Sequence, residues 1–443
     1  MIKFNLTLLL ILGLWLQPQA QTKTWTLQEC IDYGVKQSLQ MERQLLVNKA
    51  EKMYLRDAAL DLLPSVSGYS GVSYNFGRSI DPVTNTYSNV RSMANSYQVG
   101  ANMNLFSGFT AINTLRYRKI SRMKGLEDSE KKANDIAIQI MQAFYDLAYA
   151  DGMVTISEEQ VANARIQLKK MERQYELGIK PRSDLFDIQA QLAESEYNLI
   201  SNKNARGTAL VNLKLYMNYK PEEELEIDIN SLSTAIPENT NIDINQLYGQ
   251  AKEELPEVLS AEKNLRAARL YWYAVKGSLL PTIGMSGNIN TGYYDNQQNS
   301  FASQFKNNVG KGFGFSLNIP IFSGLYRHSN TSRAKYQMQD AAYAYEEALQ
   351  SAYKEIQLAI QDLKASSEEF DMALKKQNFS SLSYDANKKK YEQGMVSIID
   401  LNTSDNNLLK AKHDVLKARL TYGIKKRMVE FYQGIPLQNN IHN

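Results

Sequence analysis

The sequence predicts a mostly α-helical protein that also has transmembrane β-strands. A tandem repeat of very long helices would build an α-barrel, and four β-strands in each chain would contribute to a membrane β-barrel. Three observations support this fold class. Segments of the second half match the first half at one shift of about 216 residues. The longest proline-free stretches far exceed an ordinary helix, and four short segments alternate between apolar and polar residues.

Residues 1–20 are typical of a secretory signal peptide. Lys3 precedes an apolar run from Phe4 to Leu16, and the small residue Ala20 lies where cleavage would fall. The run has about 13 residues, which is short for a helix that spans a bilayer, although an N-terminal anchor is the alternative. No later segment is apolar over about 18 residues, so any further membrane crossing would use strands.

The composition argues against several classes of function. The 50 Lys and Arg residues nearly balance the 47 Asp and Glu residues, so no strong basic field indicates a nucleic-acid partner. A single cysteine, Cys30, rules out an internal disulfide. The histidines show no ligand spacing with each other or with Cys30, and no phosphate-binding loop or nucleophile elbow is present. The sequence therefore predicts no metal site, no cofactor and no catalytic residues.

Short motifs that recur in the same order carry the internal repeat. Leu-Leu-Pro at 62–64 recurs at 279–281, Phe-Ser-Gly at 106–108 recurs at 322–324, and the Tyr-Glu-x-Gly turn at 175–178 recurs at 391–394. Agreement of separate segments at one shift indicates a tandem duplication. The predicted organisation is a signal peptide (1–20), a first repeat (21–217), a connector (218–243), a second repeat (244–432) and a C-terminal tail (433–443).

Each repeat is predicted to contain a helix, two strands, a very long helix, a turn and a final helix. The predicted helices span residues 27–62, 110–175 and 183–217, and then 244–279, 325–391 and 398–431. The first long helix would measure about 100 Å at 1.5 Å per residue, and the two shorter helices together match that length. Such helices need neighbours along their whole length, so they predict a wall of packed helices.

The predicted strands have about 11 residues each, which suits a tilted strand that crosses a bilayer. They cover residues 65–76, 96–106, 282–290 and 312–321. In the second strand one face carries Tyr97, Val99, Ala101, Met103 and Leu105, and the other carries polar residues and glycine. A soluble antiparallel sheet with one buried face would show the same alternation. The signal peptide and the long helices favour the membrane.

Four antiparallel strands cannot close a barrel alone, and unpaired strand edges are costly in lipid. Two chains would give eight strands with a filled interior, whereas three chains with four strands each would give 12 and begin to leave a lumen. The residues expected to face inward are small or polar, among them Gly100, Asn102, Asn288, Gly312 and Asn318. This pattern predicts a homotrimer around a water-filled passage, with lipid against the outer face.

These residues resemble the TolC family of outer-membrane efflux proteins over nearly the whole chain. The shared features are Trp-Thr-Leu-Gln-Glu-Cys-Ile at 25–31, Leu-Leu-Pro before each first strand, Phe-Ser-Gly before each long helix, and the glycine turn followed by Asp-Leu. The resemblance implies a trimeric duct with a 12-stranded outer-membrane β-barrel and a large periplasmic α-barrel closed at its tip. It also implies a periplasmic adaptor (membrane fusion) protein and, through it, an inner-membrane pump that expends the energy.

The turns between helices, residues 177–184 and 393–400, are predicted to form that tip, and we call them the tip turns. Gly178 and Gly394 are predicted to adopt a left-handed conformation at the helix ends. Ser183 and Ser397 are predicted to begin the helices that follow. By the resemblance, the residues that match the adaptor-docking motif are Gly178, Ser183, Leu185, Gly394, Ser397 and Leu401. Ordinary turn and capping chemistry would explain each of them equally well.

Four residues of the tip are candidates for a pore gate: Asp400, Thr403, Asp184 and Asp187. The resemblance implies a ring of acidic residues at two positions, of which Asp400 keeps the carboxylate and Thr403 does not. Asp184 and Asp187 share a helix face, and the helix dipole alone would favour acids there. Val396 stands where the family often has a basic residue, so an ion-pair latch would have to be formed by different residues.

The predicted function is passive export through an outer-membrane channel of a tripartite efflux or type I secretion system, carrying small molecules or polypeptides. The alternative is a periplasmic adaptor or another long-helix interaction protein, which would not need four strands of bilayer length. An enzyme is not expected because no catalytic constellation is present. Drug efflux, metal-ion efflux and protein secretion are not separated by the sequence.

Overall fold

The computed structural model describes residues 24–80, 85–89, 91–229, 232, 242–295 and 297–439. The predicted signal peptide lies outside these residues, as do much of the predicted connector and the end of the predicted tail. The described chain divides into two compact units. The helical unit contains the residues up to Gln44, Ser129–Leu255 and Gln350 onwards, and the sheet unit contains Leu45–Asp128 and Pro256–Leu349.

The elements of the first half, in chain order, are β1 (Thr24–Trp25), α1 (Leu27–Gln37), α2 (Leu39–Leu60), β2 (Ser65–Asn75), β3 (Arg78–Ile80), β4 (Tyr87–Asn89), β5 (Ser92–Ser107), α3 (Thr110–Glu176) and α4 (Arg182–Tyr216). Those of the second half are β6 (Glu226–Ile227), α5 (Ile244–Glu254), α6 (Pro256–Gly277), β7 (Thr282–Tyr294), α7 (Phe301–Asn307), β8 (Gly310–Asn318), α8 (Tyr326–Glu392) and α9 (Ile398–Tyr432). The two long helices, α3 and α8, each have 67 residues.

The first helix of each repeat is interrupted, which corrects the continuous helices predicted at 27–62 and 244–279. Ser38 adopts an extended conformation, and its hydroxyl accepts hydrogen bonds from the Gln40 and Met41 N–H groups. Ser38 thus ends α1 and caps α2. In the second repeat Leu255 is extended because the residue before a proline disfavours the helical region, and α6 begins at Pro256.

The core of the helical unit forms where α1, the middle of α3 and the end of α4 meet. Fully buried side chains there include Ile31, Ile140, Phe144 and Leu213. Cys30 is also fully buried within this core. At one side of the core the Trp25 ring makes T-shaped contacts with Tyr33 and Tyr219, and the rings of these two tyrosines pack against each other at a tilt.

The sheet unit contains one antiparallel sheet of four strands in the order β2-β5-β7-β8. Adjacent positions in register include Val66 with Ala101, Val99 with Ile289, and Gly287 with Phe313. The hairpins of the two repeats therefore join through β5 and β7. Within the described chain, one edge of β2 and one edge of β8 have no neighbouring strand.

The two faces of this sheet differ in chemistry, as the alternation predicted. One face, the apolar face, carries Val66, Val72, Tyr97, Val99, Met103, Met285, Ile289, Phe313, Phe315 and Leu317. The opposite polar face carries Ser67, Gln98, Gly100, Asn102, Ser286, Asn288, Gly312, Gly314 and Ser316. On the apolar face Phe313 is 84% exposed and Val66 is 70% exposed. Soluble monomers rarely expose a continuous apolar surface of this kind, so a membrane or a partner must cover it.

The strand predictions were wrong in several details. The strand predicted at 96–106 begins earlier, at Ser92, and the strand predicted at 282–290 continues to Tyr294. A β-bulge between Asn104 and Phe106 leaves Leu105 unpaired and places Phe106 opposite Ile283, so Phe106 takes the position predicted for Leu105. The last strand ends at Asn318, before Pro320, because proline cannot donate a ladder hydrogen bond. A further hairpin, β3–β4, follows β2, and the short helix α7 lies between β7 and β8.

The Phe-Ser-Gly motifs form the turns that lead from the sheet into the long helices. Gly108 and Gly324 have φ angles of +61° and +58°, and the next residues, Phe109 and Leu325, also have positive φ. Gly108 and Gly277 approach so closely that a Cβ on either glycine would overlap the carbonyl oxygen of the other. A Cβ at Gly324 would meet open space. The equivalent turns of the two repeats thus share a backbone conformation but differ in packing.

Among the described residues, no helix combines the length and apolar character that a membrane crossing requires.

Candidate functional site at the tip turns

Both tip turns end a long helix with the same hydrogen-bonded motif. In the first turn the Ile179 N–H donates to the Gln174 carbonyl at 2.9 Å, and Gly178 has φ +72°. In the second turn the Met395 N–H donates to the Lys390 carbonyl at 2.9 Å, and Gly394 has φ +75°. Each pattern satisfies carbonyls at a helix end and requires a left-handed residue, as the sequence predicted for both glycines.

The helices that follow the turns begin differently. Ser397 is the N-cap of α9, and with Asp400 it forms a capping box. In the first repeat the N-cap is Pro181, and Ser183 lies within α4, so the prediction that Ser183 begins this helix was wrong. The Ser183 hydroxyl instead donates to Asp184 Oδ1 at 3.3 Å.

Asp400 is exposed and engaged in the cap. Its Oδ2 accepts hydrogen bonds from the Ser397 N–H at 3.1 Å and from the Ser397 hydroxyl at 2.7 Å. These hydrogen bonds lower the pKa of Asp400 below the ordinary value for aspartate, so its charge persists to lower pH. Thr403, one turn further on, uses its hydroxyl to donate to the Ile399 carbonyl at 2.8 Å.

Lys180 connects the two tip turns. Its Nζ lies 3.8 Å from Asp184 Oδ2 and 4.7 Å from the centre of the Tyr391 ring, which belongs to the end of α8. Burial raises the pKa of Tyr391, and the nearby Asp184 carboxylate raises it further. The Tyr391 hydroxyl is buried and has no hydrogen-bond partner among the described residues, so the ring face makes the contact with Lys180. Asp187, one turn beyond Asp184, is exposed.

A small apolar core lies directly behind the turns. Met171, Ile188, Ile398 and Leu401 are buried against each other. Leu401 is only 4% exposed, so the chain itself already covers this docking candidate, whereas Leu185 is half-buried at the edge of the same core. Nearby, Lys170 of α3 and Glu392 of α8 form an ion pair at 3.0 Å, and Lys170 lowers the pKa of Glu392.

The tip turns also expose apolar side chains that the sequence reasoning did not select. Leu177, Ile179, Phe186, Met395 and Ile399 are all more than half exposed. The signal was present in the sequence, since apolar residues flank each turn glycine where polar residues are usual. The tip therefore combines Asp184, Asp187 and Asp400 with an exposed apolar surface.

A sheet with one apolar face and two very long helices are features of an outer-membrane channel. A comparison with protein families indicates the same class of protein. The model of the outer membrane efflux protein family matches residues 38–218 and 247–429. The chain belongs to this family. It is an outer-membrane efflux channel, as predicted, and the alternative of a periplasmic adaptor is set aside.

Among curated relatives, the alkaline protease secretion protein AprF of Pseudomonas aeruginosa is 20% identical over 412 residues, which cover 89% of this chain and 82% of AprF. The outer membrane efflux protein BepC of Brucella suis is 22% identical and covers 80% of this chain and 75% of BepC.

Solved structures establish the fold. The channel protein CusC superposes with a TM-score of 0.80 at 16% identity, over 94% of this chain and 92% of that chain. The Campylobacter jejuni CmeC outer membrane channel gives a TM-score of 0.79 at 16% identity, over 94% of this chain and 87% of that chain. The predicted fold class, a mostly helical repeat protein with transmembrane strands, is confirmed.

Proposed function

We propose that this chain forms a homotrimeric exit duct that exports its cargo passively and catalyses no reaction. One observation carries the proposal: the four-stranded sheet exposes a continuous apolar face, and within the described residues the outer edges of β2 and β8 have no neighbouring strand. The apolar face is costly in water, which favours its contact with lipid, and the bare strand edges are costly in lipid unless sister chains pair with them. Three chains with four strands each give a barrel of 12 strands, large enough for the small and polar residues of the other face to line an aqueous passage.

The tip turns are proposed to dock a periplasmic adaptor, which connects the duct to an inner-membrane pump. Leu177, Ile179, Phe186, Met395 and Ile399 offer the exposed apolar contacts that protein interfaces use. Gly178, Gly394, Ser183 and Ser397 fix the shape of this surface, with Leu185 at its edge and Leu401 supporting it from within. The two tandem repeats, residues 21–217 and 244–432, each contribute one turn.

Cargo identity is proposed to depend on the pump. One relative is described as an alkaline protease secretion protein, and another, CusC of Escherichia coli, as a cation efflux system protein. A duct that only opens can serve both kinds of system, because the partner selects what enters it.

The resting gate is proposed to be the contact of Lys180 with Asp184 and with the Tyr391 ring. Replacing Lys180 with glutamine removes an ion pair and a cation–π contact, together about 1 kcal/mol per protomer. If the three protomers open together, the loss of about 3 kcal/mol raises the open-to-closed ratio roughly 100-fold. Single-channel recording in planar bilayers measures this ratio.

Two controls sharpen the gate experiment. Lys220→Gln removes a surface ion pair with Glu223 at 2.7 Å and is expected to leave the open fraction unchanged. Tyr391→Phe keeps the ring face and is also expected to preserve the gate, since the hydroxyl has no partner among the described residues. If Lys180→Gln left the open fraction unchanged, Lys180 would not be part of the gate.

Asp400 is proposed to form an acidic ring in the pore, with Asp184 and Asp187 as further acids near it. Asp400→Asn keeps an acceptor for the Ser397 N–H and removes the charge, so the cation-to-anion permeability ratio is expected to fall roughly threefold. Because the pKa of Asp400 is lowered, the wild-type preference should persist until the pH falls below about 3.9, the ordinary value for aspartate. Asp371→Asn, which alters an exposed pair with Lys375, is the control. Equal ratios in both variants would place Asp400 outside the conduction path.

A further inference from the structure

The four strands of the sheet contain a single charged side chain. Across β2, β5, β7 and β8 every residue is apolar, uncharged polar or glycine, except Lys311. Lys311 lies on the apolar face, because it stands opposite Ile289 in register and two residues before Phe313 on the same strand. The one charge of the sheet thus points to the side that the proposed barrel turns toward lipid.

The position of Lys311 along the strand explains how lipid tolerates it. A lysine on the lipid face costs about 2–4 kcal/mol at the centre of a bilayer and close to zero at the interface. Lys311 is the second residue of β8, at the end of the sheet that carries the β7–β8 loop. Phe313, Phe315 and Leu317 follow it on the same face and provide the apolar band. On β8, Lys311 therefore marks the end of the apolar band nearest the β7–β8 loop.

The short helix α7 brings a second lysine to the same edge. The Thr291 hydroxyl donates to the Phe305 carbonyl at 2.8 Å, and the Phe301 and Phe305 rings contact Tyr97 on the apolar face. Lys306 is the next residue after Phe305. Thr291 holds the helix segment next to Lys306, and it lies two positions along β7 from Ile289, which stands opposite Lys311. Lys306 and Lys311 therefore lie at the same corner of the sheet.

Both lysines are exposed, and no carboxylate among the described residues pairs with either of them. The other cations at this end are already occupied: Arg91 lies over the Tyr74 and Phe76 rings, and Arg78 lies over the Tyr87 ring. Asp295, the nearest acid in sequence, accepts a hydrogen bond from the Met93 N–H at 2.6 Å. Among the described residues, Lys306 and Lys311 thus remain as two cations without an acidic partner beside aromatic rings, a combination that suits a membrane interface.

We infer that Lys306 and Lys311 bind the phosphate groups of a phosphomonoester-bearing lipid in the outward-facing leaflet. A phosphomonoester carries about 1.5 to 2 negative charges at pH 7 and accepts several hydrogen bonds, which two lysine ammonium groups can supply. The acyl chains of the same lipid would cover Phe313 and Phe315. The inference rests on the proposed orientation of the sheet, with its apolar face against lipid.

Native mass spectrometry of the detergent-purified protein tests this inference, with diphosphoryl lipid A and its dephosphorylated form as probes. The wild type is expected to prefer the diphosphoryl form. The Lys306→Gln/Lys311→Gln double variant should bind it about 30-fold more weakly, which corresponds to about 2 kcal/mol. The matched control, Lys119→Gln/Lys335→Gln, changes two exposed lysines on helices of the same unit and should bind as the wild type does.

The same spectra count the chains in each particle, so they separate this inference from the proposed function. Trimers that bind both lipid forms equally, or a double variant that keeps the wild-type preference, would overturn the lipid site and leave the duct intact. Inorganic phosphate that competes as strongly as the lipid would also overturn it, because the acyl chains would then contribute nothing.

Discussion

Replacing Gly108 with alanine is expected to destabilise the chain by about 3–4 kcal/mol, whereas the same change at Gly324 should cost only about 1–2 kcal/mol. Both glycines have positive φ, so alanine at either position must adopt an unfavourable left-handed conformation. Only at Gly108 would the new Cβ also overlap the Gly277 carbonyl oxygen. The difference in thermal unfolding midpoint between the two variants, measured in one detergent, reports the destabilisation caused by the overlap with the Gly277 carbonyl oxygen.

Gly277→Ala provides a second measure of that contact. Gly277 ends α6 without a positive φ, so alanine there adds no left-handed strain and meets the Gly108 carbonyl oxygen, together with the Thr110 hydroxyl. The loss of stability in Gly277→Ala should be close to the difference between the losses in Gly108→Ala and Gly324→Ala. Equal losses at Gly108 and Gly324, with a harmless Gly277→Ala, would contradict the packing described for this turn.

Phe313→Lys is expected to prevent assembly into the membrane, whereas Gly314→Lys, at the next residue, should be tolerated. Phe313 lies on the apolar face and Gly314 on the polar face, where a Cβ meets open space. A lysine facing lipid at this depth costs about 2–4 kcal/mol in each of three protomers, while lysine in an aqueous lumen keeps its hydration. The yield of trimer in outer-membrane fractions measures the effect.

The reverse result would assign the faces differently. If Gly314→Lys abolished assembly and Phe313→Lys did not, the apolar face would line the interior of the barrel. Lys311 shows that the chain accepts one lysine on this face, but only at the edge of the band, two residues before Phe313.

The sequence predicted those features of the fold that a local pattern determines. Alternation assigned Val99 and Gly100 to opposite faces, and the recurring glycines predicted the left-handed ends of both long helices. The break at Pro256 was also readable, since a proline sat inside the stretch predicted to be helical. The break at Ser38 was not, because a serine can either lie within a helix or cap one, and the local sequence does not separate the two.

Contacts between distant segments could not be predicted in the same way. Nothing near Leu105 indicates a bulge, which arises from pairing with a strand about 180 residues later. The contact of Lys180 with Tyr391 joins the two repeats at the tip, and no local pattern around either residue indicates it. Burial of Leu401 likewise follows from packing between both turns, and an isolated motif does not reveal it.

The number of chains in the detergent-solubilised particle tests the central claim most directly. Light scattering coupled to size-exclusion chromatography, corrected for bound detergent, is expected to give a protein mass equal to three chains, and particle images should show three-fold symmetry. A water-soluble monomer that needs no detergent would contradict the account, because the strand edges and the apolar face would then require no partner.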